Sequence, residues 1–363
     1  MSARLRVKIN LTKVTANSQF LVHSLAQHGI SVTGVTKGVR GHPEVAKAML
    51  AGGVLQLADA RISNILRLRK AGITCPLSMI RCPLKAQSQQ VIDACDISYH
   101  SHLDSIQRLA TQALAAHKTH HIMLMVELGD ARDGMLPQQV PQAVQAMKKI
   151  PGVALLGLAT NFACLSGVPP TAQRMHEFTE LIVLAESVWG APLRANSAGG
   201  SANLTWASQS GRSPRANNLR LGESILLGTD PISGRVITGL FDDAVKLVVE
   251  VIEATPTGAL AGSKKQHTGQ SSRLVLAVGS QDTDILGLGF PAGLTLIGGT
   301  SDHIVVHSHL NRFSIGANME LKLSYSALTR AMSAPDVSTQ LHHSKRAFAA
   351  IANKAARARR LSY

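Results

Sequence analysis

The 363-residue sequence predicts an α/β protein with an N-terminal (β/α)8 TIM-type barrel followed by a mostly-β domain. Two observations predict this fold class. Up to about residue 230, short apolar and β-branched runs alternate with helix-like stretches in about eight units, which is typical of parallel strands joined by crossover helices. After about residue 232, strand-like runs follow one another with few helical stretches between them, which is typical of a β domain.

The elements can be assigned in chain order from residue periodicity. In the barrel segment, strands are predicted at 6–11, 31–36, 54–57, 76–80, 97–99, 122–127 and 153–158, and helices at 13–28, 43–50, 62–70, 86–95, 103–117 and 138–149. In the second domain, strands are predicted at 236–238, 245–254, 273–278, 294–298, 304–306 and 319–323. We therefore expect a barrel over 1–231, a β domain over 232–336 and a basic C-terminal tail over 337–363.

Composition restricts the classes of partner. With 37 Lys and Arg against 22 Asp and Glu the net charge is +15, but six of these cations lie in the last stretch, 345–360. Aromatic residues make up 3% of the chain, which argues against a stacking surface for nucleic acid. No run approaches the ~18 apolar residues of a membrane span, and the N-terminus has no apolar signal core. The cysteines, which form no CxxC pair, fit a reducing cytoplasm; they are Cys75, Cys82, Cys95 and Cys164.

Lys37 is the first residue with potential chemistry. It ends the β-branched run SVTGVTK and precedes Gly38. The C-terminal ends of barrel strands carry the active site, and an amine desolvated there has a lowered pKa and can react with a carbonyl. On this motif alone, a lysine whose stem covers apolar surface while its amine reaches solvent remains an alternative.

Three later motifs could recognise anions. The loop VELGDARDGM (126–135) carries Arg132 between two glycines, where a guanidinium could meet a carboxylate or phenolate. ANSAGGSANL (195–204) has the composition of a phosphate cradle, and NNLRLGESILLG (217–228) places Arg220 just before Gly222. The ordered set of Lys, Arg, Gly-Ser and Arg-x-Gly, followed by a β domain, is more specific than any one of its parts.

This ordered set resembles the fold-type III pyridoxal-phosphate (PLP) enzymes, the alanine racemase superfamily, and is most similar to the alanine/ornithine racemase branch. The resemblance extends over about residues 5–335. It rests on HGISVTGVTKG (28–38), LADARISNI (57–65), MVELGDARDGM (125–135), GLATNFACLSG (157–167), NNLRLGESILLG (217–228), LAVGSQDTD (276–284), SDHIV (301–305) and GANMELKLSYSAL (316–328). It implies a homodimer in which each active site is completed by the partner's β domain.

The resemblance also implies roles for residues around the PLP ring. Lys37 would hold PLP covalently and serve as the base on one face of the substrate Cα. Arg132 would meet the PLP phenolate or the substrate carboxylate, by position, since the family's Gly-Met-x-Arg pattern reads Arg-Asp-Gly-Met here. Arg220 would bond the pyridine nitrogen, and Asn161 stands where the family often has a histidine under the ring.

The PLP phosphate and the second base are less closely defined. Ser201 and the backbone of Gly222 and Glu223 would hold the phosphate, with Ser197 as an alternative. Alanine racemases use a partner tyrosine as the opposite-face base, and no tyrosine falls in the 258–272 loop where it is expected. Tyr325, in a motif that recurs in the ornithine racemase branch, is the candidate that we retain. The alternatives are His267 and Cys164.

The resemblance implies a racemase that interconverts L- and D-amino acids, and the branch implies a diamino acid such as ornithine or lysine. Asp133, Asp282 and Asp284 are the carboxylates that could bind its distal ammonium. One alternative is a PLP-dependent lyase or aldolase on the same scaffold, for which His303, His307 and His309 could hold a metal, although we expect no metal site. The other alternative is a non-catalytic PLP carrier.

Overall fold

The computed structural model describes residues 5–208, 215–256, 271–309 and 313–344. Within these ranges the chain forms two compact units. The barrel unit comprises residues 14–37 and 41–240, and the C-terminal unit comprises the chain before Val14, residues 38–40 and the chain from Phe241 onward. No helix in the described ranges combines the length and apolar character needed to cross a membrane.

The chain opens with strand β1 (Arg6–Asn10) and helix α1 (Leu11–Ala26). A parallel sheet then forms the barrel, from β2 (Ser31–Val35), β3 (Gln56–Asp59), β4 (Leu77–Met79), β5 (Ile97–His100), β6 (His120–Met125), β7 (Val153–Ala159) and β8 (Asn218–Leu221). The strand order is β7-β6-β5-β4-β3-β2-β8. Most residues of these strands are buried, as expected for parallel strands covered on both faces.

The eighth position of the barrel wall is occupied by Ser197. This residue makes parallel bridges to Ala159 at the end of β7 and to Asn218 at the start of β8, so the wall closes on itself. The segment lies so close to β7 that a Cβ on Gly157 would stand 1.6 Å from the Ala195 carbonyl oxygen. The predicted (β/α)8 barrel is therefore confirmed, with its last gap closed by a segment too short to read as a strand.

Helices connect the barrel strands. They are α2 (Pro43–Ala51), α3 (Ile62–Lys70), α4 (Ser88–Ala94), α5 (Leu103–Ala115), α6 (Val140–Met147), α7 (Ala172–Trp189), α8 (Leu204–Ala207) and α9 (Glu223–Leu227). Helix α2 begins with Pro43, whose missing N–H costs nothing in the first turn. The long helix α7 has a Thr171 side chain accepting from the Arg174 N–H at its start and a left-handed Gly190 at its end.

The C-terminal unit is rich in strands. They are β9 (Val245–Pro256), β10 (Ser272–Leu276), β11 (Leu288–Gly289), β12 (Leu294–Gly299), β13 (Ile304–Ser308), β14 (Asn318–Leu323) and β15 (Ser338–His342), with helix α10 (Tyr325–Ala331) before the last strand. Their order is β11-β14-β9-β10-β13-β12, with antiparallel neighbours. The predicted mostly-β C-terminal region is confirmed.

Two strands depart from the predicted segments. Strand β1, which we assigned to the barrel segment 1–231, pairs with β9 antiparallel and with β15 parallel in the C-terminal unit. Residues 338–342, which we assigned to the tail, form β15. Both pairings join residues more than 200 positions apart, and local periodicity carries no information about such partners. The boundary at 231/232 itself stays a prediction, and residues 345–363 lie outside the described ranges.

Candidate active site

Lys37 stands two residues after the end of β2, at the carboxyl end of the barrel, where it begins a short 3-10 turn. Burial lowers the pKa of its amine, and the positive charges of Arg132 and Arg220 lower it further. Cys164 and Asp59 act in the opposite direction. The side chain is partly buried. An amine in this setting is more often neutral than an exposed lysine, and the neutral form is the nucleophile.

Asp59, the last residue of β3, lies next to this strand end and is fully buried. Its Oδ2 accepts from the Thr36 hydroxyl at 2.7 Å. Its Oδ1 accepts from the Arg61 N–H and the Asn64 side-chain amide, both at 3.0 Å. Burial raises the pKa of Asp59, and these hydrogen bonds oppose the rise. The carboxylate therefore connects the residue before Lys37 to the start of α3.

Arg220 projects from β8 and is 7% exposed. Its Nη2 donates to the Thr160 carbonyl at 2.7 Å and to Asn161 Oδ1 at 2.6 Å. The guanidinium carbon lies 5.2 Å from the centre of the Tyr99 ring, a cation–π contact. Its Nη1 is buried, and within the described ranges it has no hydrogen-bond partner. A buried donor without a partner costs free energy, so this atom is available to an acceptor that the protein does not supply.

The loop after β6 is shaped by a carboxylate. Glu127 accepts from the backbone N–H groups of Gly129 at 2.6 Å, Ala131 at 3.0 Å and Arg132 at 3.3 Å. Ala131 has φ +54°, a conformation that residues with a Cβ rarely adopt. Several N–H groups that converge on one anion compensate for such a turn. The loop conformation that presents Arg132 is thus stabilised by the Glu127 carboxylate, two residues beyond β6.

Arg132 continues into a chain of polar contacts. Its Nε donates to Asp133 Oδ1 at 2.7 Å and lies 3.7 Å from Asp130 Oδ2. Asp133 Oδ1 also accepts from Asn161 Nδ2 at 3.4 Å. Asn161 therefore connects Arg132, through Asp133, to Arg220. Because Asp133 is already paired with Arg132, it offers less negative charge to a substrate ammonium than an unpaired carboxylate would.

The two serines proposed as phosphate contacts, Ser201 and Ser197, lie in different places. Ser201 Oγ lies 3.0 Å from Ser224 Oγ and accepts from the Ser224 N–H at 3.2 Å, at the start of α9. Gly222 precedes this helix, and a Cβ there would stand 3.1 Å from the Val35 carbonyl oxygen, next to the Lys37 strand. Ser197, by contrast, lies in the barrel wall and is fully buried beside Tyr99.

Glu223, the first residue of α9, has a titratable side chain at the same end of the barrel. Burial raises its pKa to about 7, Asp230 adds to the rise, and Lys37 opposes it. A carboxyl group with this pKa is partly protonated at neutral pH, so it repels an incoming anion less than an ordinary glutamate would.

Other predicted residues belong to the C-terminal unit. Tyr325 begins α10, and its hydroxyl is buried. Asp282 accepts from the Gly279 N–H, and Asp284 accepts from the Ser326 hydroxyl. His267 lies outside the described residues. In the ranges that the structure describes, no group of three His, Cys, Asp or Glu side chains, His303, His307 and His309 included, could hold a metal ion.

Four residues of this cluster were not singled out from the sequence: Asp59, Tyr99, Asp130 and Thr160. Asp59 ends β3, Thr160 directly follows β7, Tyr99 is the next-to-last residue of β5, and Asp130 lies in the loop that carries Arg132. The rule that polar residues at carboxyl ends of barrel strands belong to the site would have found Asp59, Tyr99 and Thr160. Their partners, however, come from other strands and are visible only in three dimensions.

The chain is similar to known proteins over most of its length. The family model described as "Alanine racemase, N-terminal domain" matches residues 9–231. The chain is 29% identical to a lysine racemase from Thermotoga maritima (92% of this chain, 97% of the relative) and 25% identical to an ornithine racemase from Acetoanaerobium sticklandii (93% and 99%). The alanine racemase of a D-cycloserine-producing Streptomyces lavendulae has the same fold, with a TM-score of 0.72 at 17% identity over 96% of this chain and 99% of that chain. The chain therefore belongs to the alanine racemase N-terminal domain family.

Proposed function

We propose that the protein is a PLP-dependent amino-acid racemase, which takes the proton from the substrate Cα on one face and returns it on the other. The observation that carries this proposal is the Lys37 amine at the end of β2, with its pKa lowered by burial beside the cations Arg132 and Arg220. A lysine with a lowered pKa at the mouth of a barrel is suited to react with a cofactor carbonyl. The racemase relatives support the same reaction.

The residues present fit PLP. The cofactor needs an amine, a partner for its ring nitrogen and donors for its phosphate. Lys37 supplies the amine, and the unpartnered Arg220 Nη1 is a buried donor that an acceptor such as the ring nitrogen would satisfy. Ser201 and the backbone at Gly222 and Glu223 would hold the phosphate, and a Cβ at Gly222 would make a tight contact of 3.1 Å with the Val35 carbonyl oxygen.

The chain's own groups can then perform the proton transfers. When bound, PLP supplies the electron sink for negative charge at Cα. Lys37 Nζ, whose pKa is lowered by burial, would accept or return the proton on one face. Arg220 keeps its proton because a guanidinium does not readily lose one, so Nη1 remains a donor throughout. Arg132 is the cation proposed to meet the substrate carboxylate or the PLP phenolate.

The second base and the substrate are the finer parts of the proposal. Tyr325, from a second copy of the chain, is proposed as the base on the opposite face, and Ser197 remains the alternative phosphate contact. A diamino acid, ornithine or lysine, is the proposed substrate because the lysine racemase and the ornithine racemase each match more than nine-tenths of the chain in sequence. A cytoplasmic homodimer is the proposed form of the enzyme.

The test combines a spectrum with chiral analysis. The purified protein, Lys37→Ala and the matched control Lys47→Ala are loaded with PLP and dialysed, and their visible spectra are recorded. Each sample is then incubated with L-ornithine, L-lysine and L-alanine. Lys47 lies on α2, where it pairs with Glu44 on the surface, so its loss leaves the barrel end intact.

The expected result is a visible band and formation of D-ornithine or D-lysine in the wild type and in the Lys47 variant, and loss of both in Lys37→Ala. A band without any interconversion would argue for a different PLP reaction or for a carrier. If no band appears in any sample, the assignment of Lys37 is wrong.

A further inference from the structure

Asp130 holds a loop that belongs to another part of the barrel. It follows β6, is 2% exposed, and its Oδ1 accepts from three successive backbone N–H groups beyond β7. These are Cys164 at 2.8 Å, Leu165 at 2.9 Å and Ser166 at 3.4 Å. One buried carboxylate therefore joins the two loops that carry Arg132 and Asn161.

The loop whose backbone Asp130 binds contains a strained residue. Ala163 has φ +57°, the left-handed conformation that costs a residue with a Cβ free energy. Consecutive N–H groups that converge on an anion are a recognised way of stabilising such a turn. A carboxylate as buried as Asp130 would in turn be costly without these donors. The loop and the carboxylate therefore stabilise each other.

The other oxygen of Asp130 faces the site. Oδ2 lies 3.7 Å from Arg132 Nε, which also donates to Asp133. Arg132 thus lies between the carboxylates of Asp130 and Asp133. Asp130 also accepts hydrogen bonds from the backbone of the loop that contains Cys164. Cys164 in turn acts electrostatically on Lys37 and on Arg132, so the held loop borders both groups.

We infer that Asp130 is a positioning residue, which fixes the loop carrying Asn161 and Cys164 against the loop carrying Arg132 and so orients the Arg132 guanidinium for the amino-acid carboxylate. This inference rests on the proposed racemase function. Asp130 makes no proton transfer itself. Its effect is expected in substrate binding more than in PLP loading, because the carboxylate binds the backbone of residues 164–166 and pairs with Arg132 rather than with Lys37 or Arg220.

The experiment uses Asp130→Asn, which keeps the shape but removes the charge, and Asp93→Asn as a matched control. Asp93 lies on the surface of α4, where its carboxylate accepts from the side chain of Gln89, four residues earlier on the same helix. Two readouts are taken on the holoenzyme: the KM and kcat for the diamino acid, and the rate at which DTNB modifies Cys164. Cys164→Ser identifies which phase of the DTNB reaction belongs to that thiol, since Cys164 is exposed and the other cysteines are partly or fully buried.

We expect Asp130→Asn to raise the KM by about tenfold or more with the visible band retained, because small misplacements of an orienting group cost up to about a hundredfold. We also expect the released loop to react with DTNB about tenfold faster at Cys164, with Asp93→Asn unchanged in both readouts. An unchanged thiol rate, or a loss of activity through kcat alone, would overturn the inference. A wild type without racemase activity would instead overturn the proposed function, and the thiol rate would still decide whether Asp130 fixes the loop.

Discussion

The Thr36 hydroxyl donates to Asp59 Oδ2 at 2.7 Å, one residue before Lys37. Asp59 is fully buried and raises the pKa of Lys37, against the lowering by burial and by the two arginines. The Asp59 carboxylate therefore favours the protonated form of the Lys37 amine. The neighbouring parallel strands β2 and β3 bring Thr36 and Asp59 side by side, and this pairing places the carboxylate near Lys37.

Replacing Asp59 by Asn should lower the pKa of Lys37 further, because the negative charge that favours the ammonium is removed. The amine would then become nucleophilic at a lower pH than in the wild type. Competitive labelling with acetic anhydride across a pH series, read by mass spectrometry on the Lys37 peptide of the cofactor-free protein, measures this midpoint. Asp93→Asn serves as the control, and a midpoint that stays or moves upward in Asp59→Asn would contradict the argument.

The site could be anticipated from the sequence only in part. Lys37, Arg132, Arg220 and Ser201 can be singled out as candidates because each stands beside a glycine-rich turn or at a strand end. Asp130 was not singled out, because its partners, the N–H groups of residues 164–166, are more than 30 positions away and backbone donors leave no trace in residue type. The choice between Ser197 and Ser201 was also open, since both lie in one Gly-Ser-rich stretch.

Gly157 is needed for barrel closure. A Cβ there would stand 1.6 Å from the Ala195 carbonyl oxygen, so Gly157→Ala forces the segment that carries Ser197 away from β7. We expect a loss of more than about 3 kcal/mol of stability, at the upper end of overpacking changes, and poor soluble yield. Gly298→Ala is the matched control, because a Cβ at Gly298 meets nothing within 4 Å. Equal melting temperatures for the two variants would show that the wall has room to adjust.

The fold was easier to predict than its long-range pairings. Strand β2 and helix α3 were found to within one residue, because β-branched and helical periodicities are local properties. Strand β1 was equally visible as a strand, yet its place in the C-terminal unit depends on β9 and β15, which are far along the chain. The alternation of apolar and polar residues along a strand indicates that one face is buried, but it does not indicate which element covers that face.

Glu320 is expected to stabilise the C-terminal unit by offsetting the repulsion between Lys8 and Lys246. Strands β1 and β9 place Lys8 opposite Lys246, and like charges in this position destabilise a sheet. Glu320 accepts from both, at 2.7 and 2.9 Å, and these hydrogen bonds lower its pKa to about 2. Glu320→Gln should cost about 1 kcal/mol, a modest value because the side chain is 37% exposed and screened by solvent.

Urea unfolding of Glu320→Gln at low and at high NaCl tests this argument. The difference from the wild type should shrink as salt rises, since the repulsion between Lys8 and Lys246 is screened. Because the pKa of Glu320 is lowered, its contribution is present above the unfolded value of 4.5 and is lost as the pH falls toward about 2. A difference that does not depend on salt would assign the effect to packing instead.

The outer face of β5 and β6 contains a buried histidine pair that should limit stability in acid. Ser98 Oγ lies 2.8 Å from His100 Nε2 and 2.9 Å from His120 Nε2, and His100 Nδ1 lies 2.7 Å from the Ser105 hydroxyl on α5. Burial lowers the pKa of His100 to about 3 and that of His120 to about 4. Both rings are therefore neutral in the folded protein at pH values where the unfolded chain is protonated.

The sign follows from this difference in proton binding. Below the unfolded pKa of 6.5 the unfolded state binds more protons, so the free energy of unfolding falls as the pH drops from about 7 to about 4. Each histidine should contribute about 1–2 kcal/mol to the loss at pH 5. In the double variant His100→Gln/His120→Gln the urea midpoint should depend less on pH between 7.5 and 5 than in the wild type, whatever its stability at pH 7.5. If both proteins lose stability equally over this range, the acid sensitivity arises from other groups, and the pKa values of the two histidines do not differ between the folded and unfolded states.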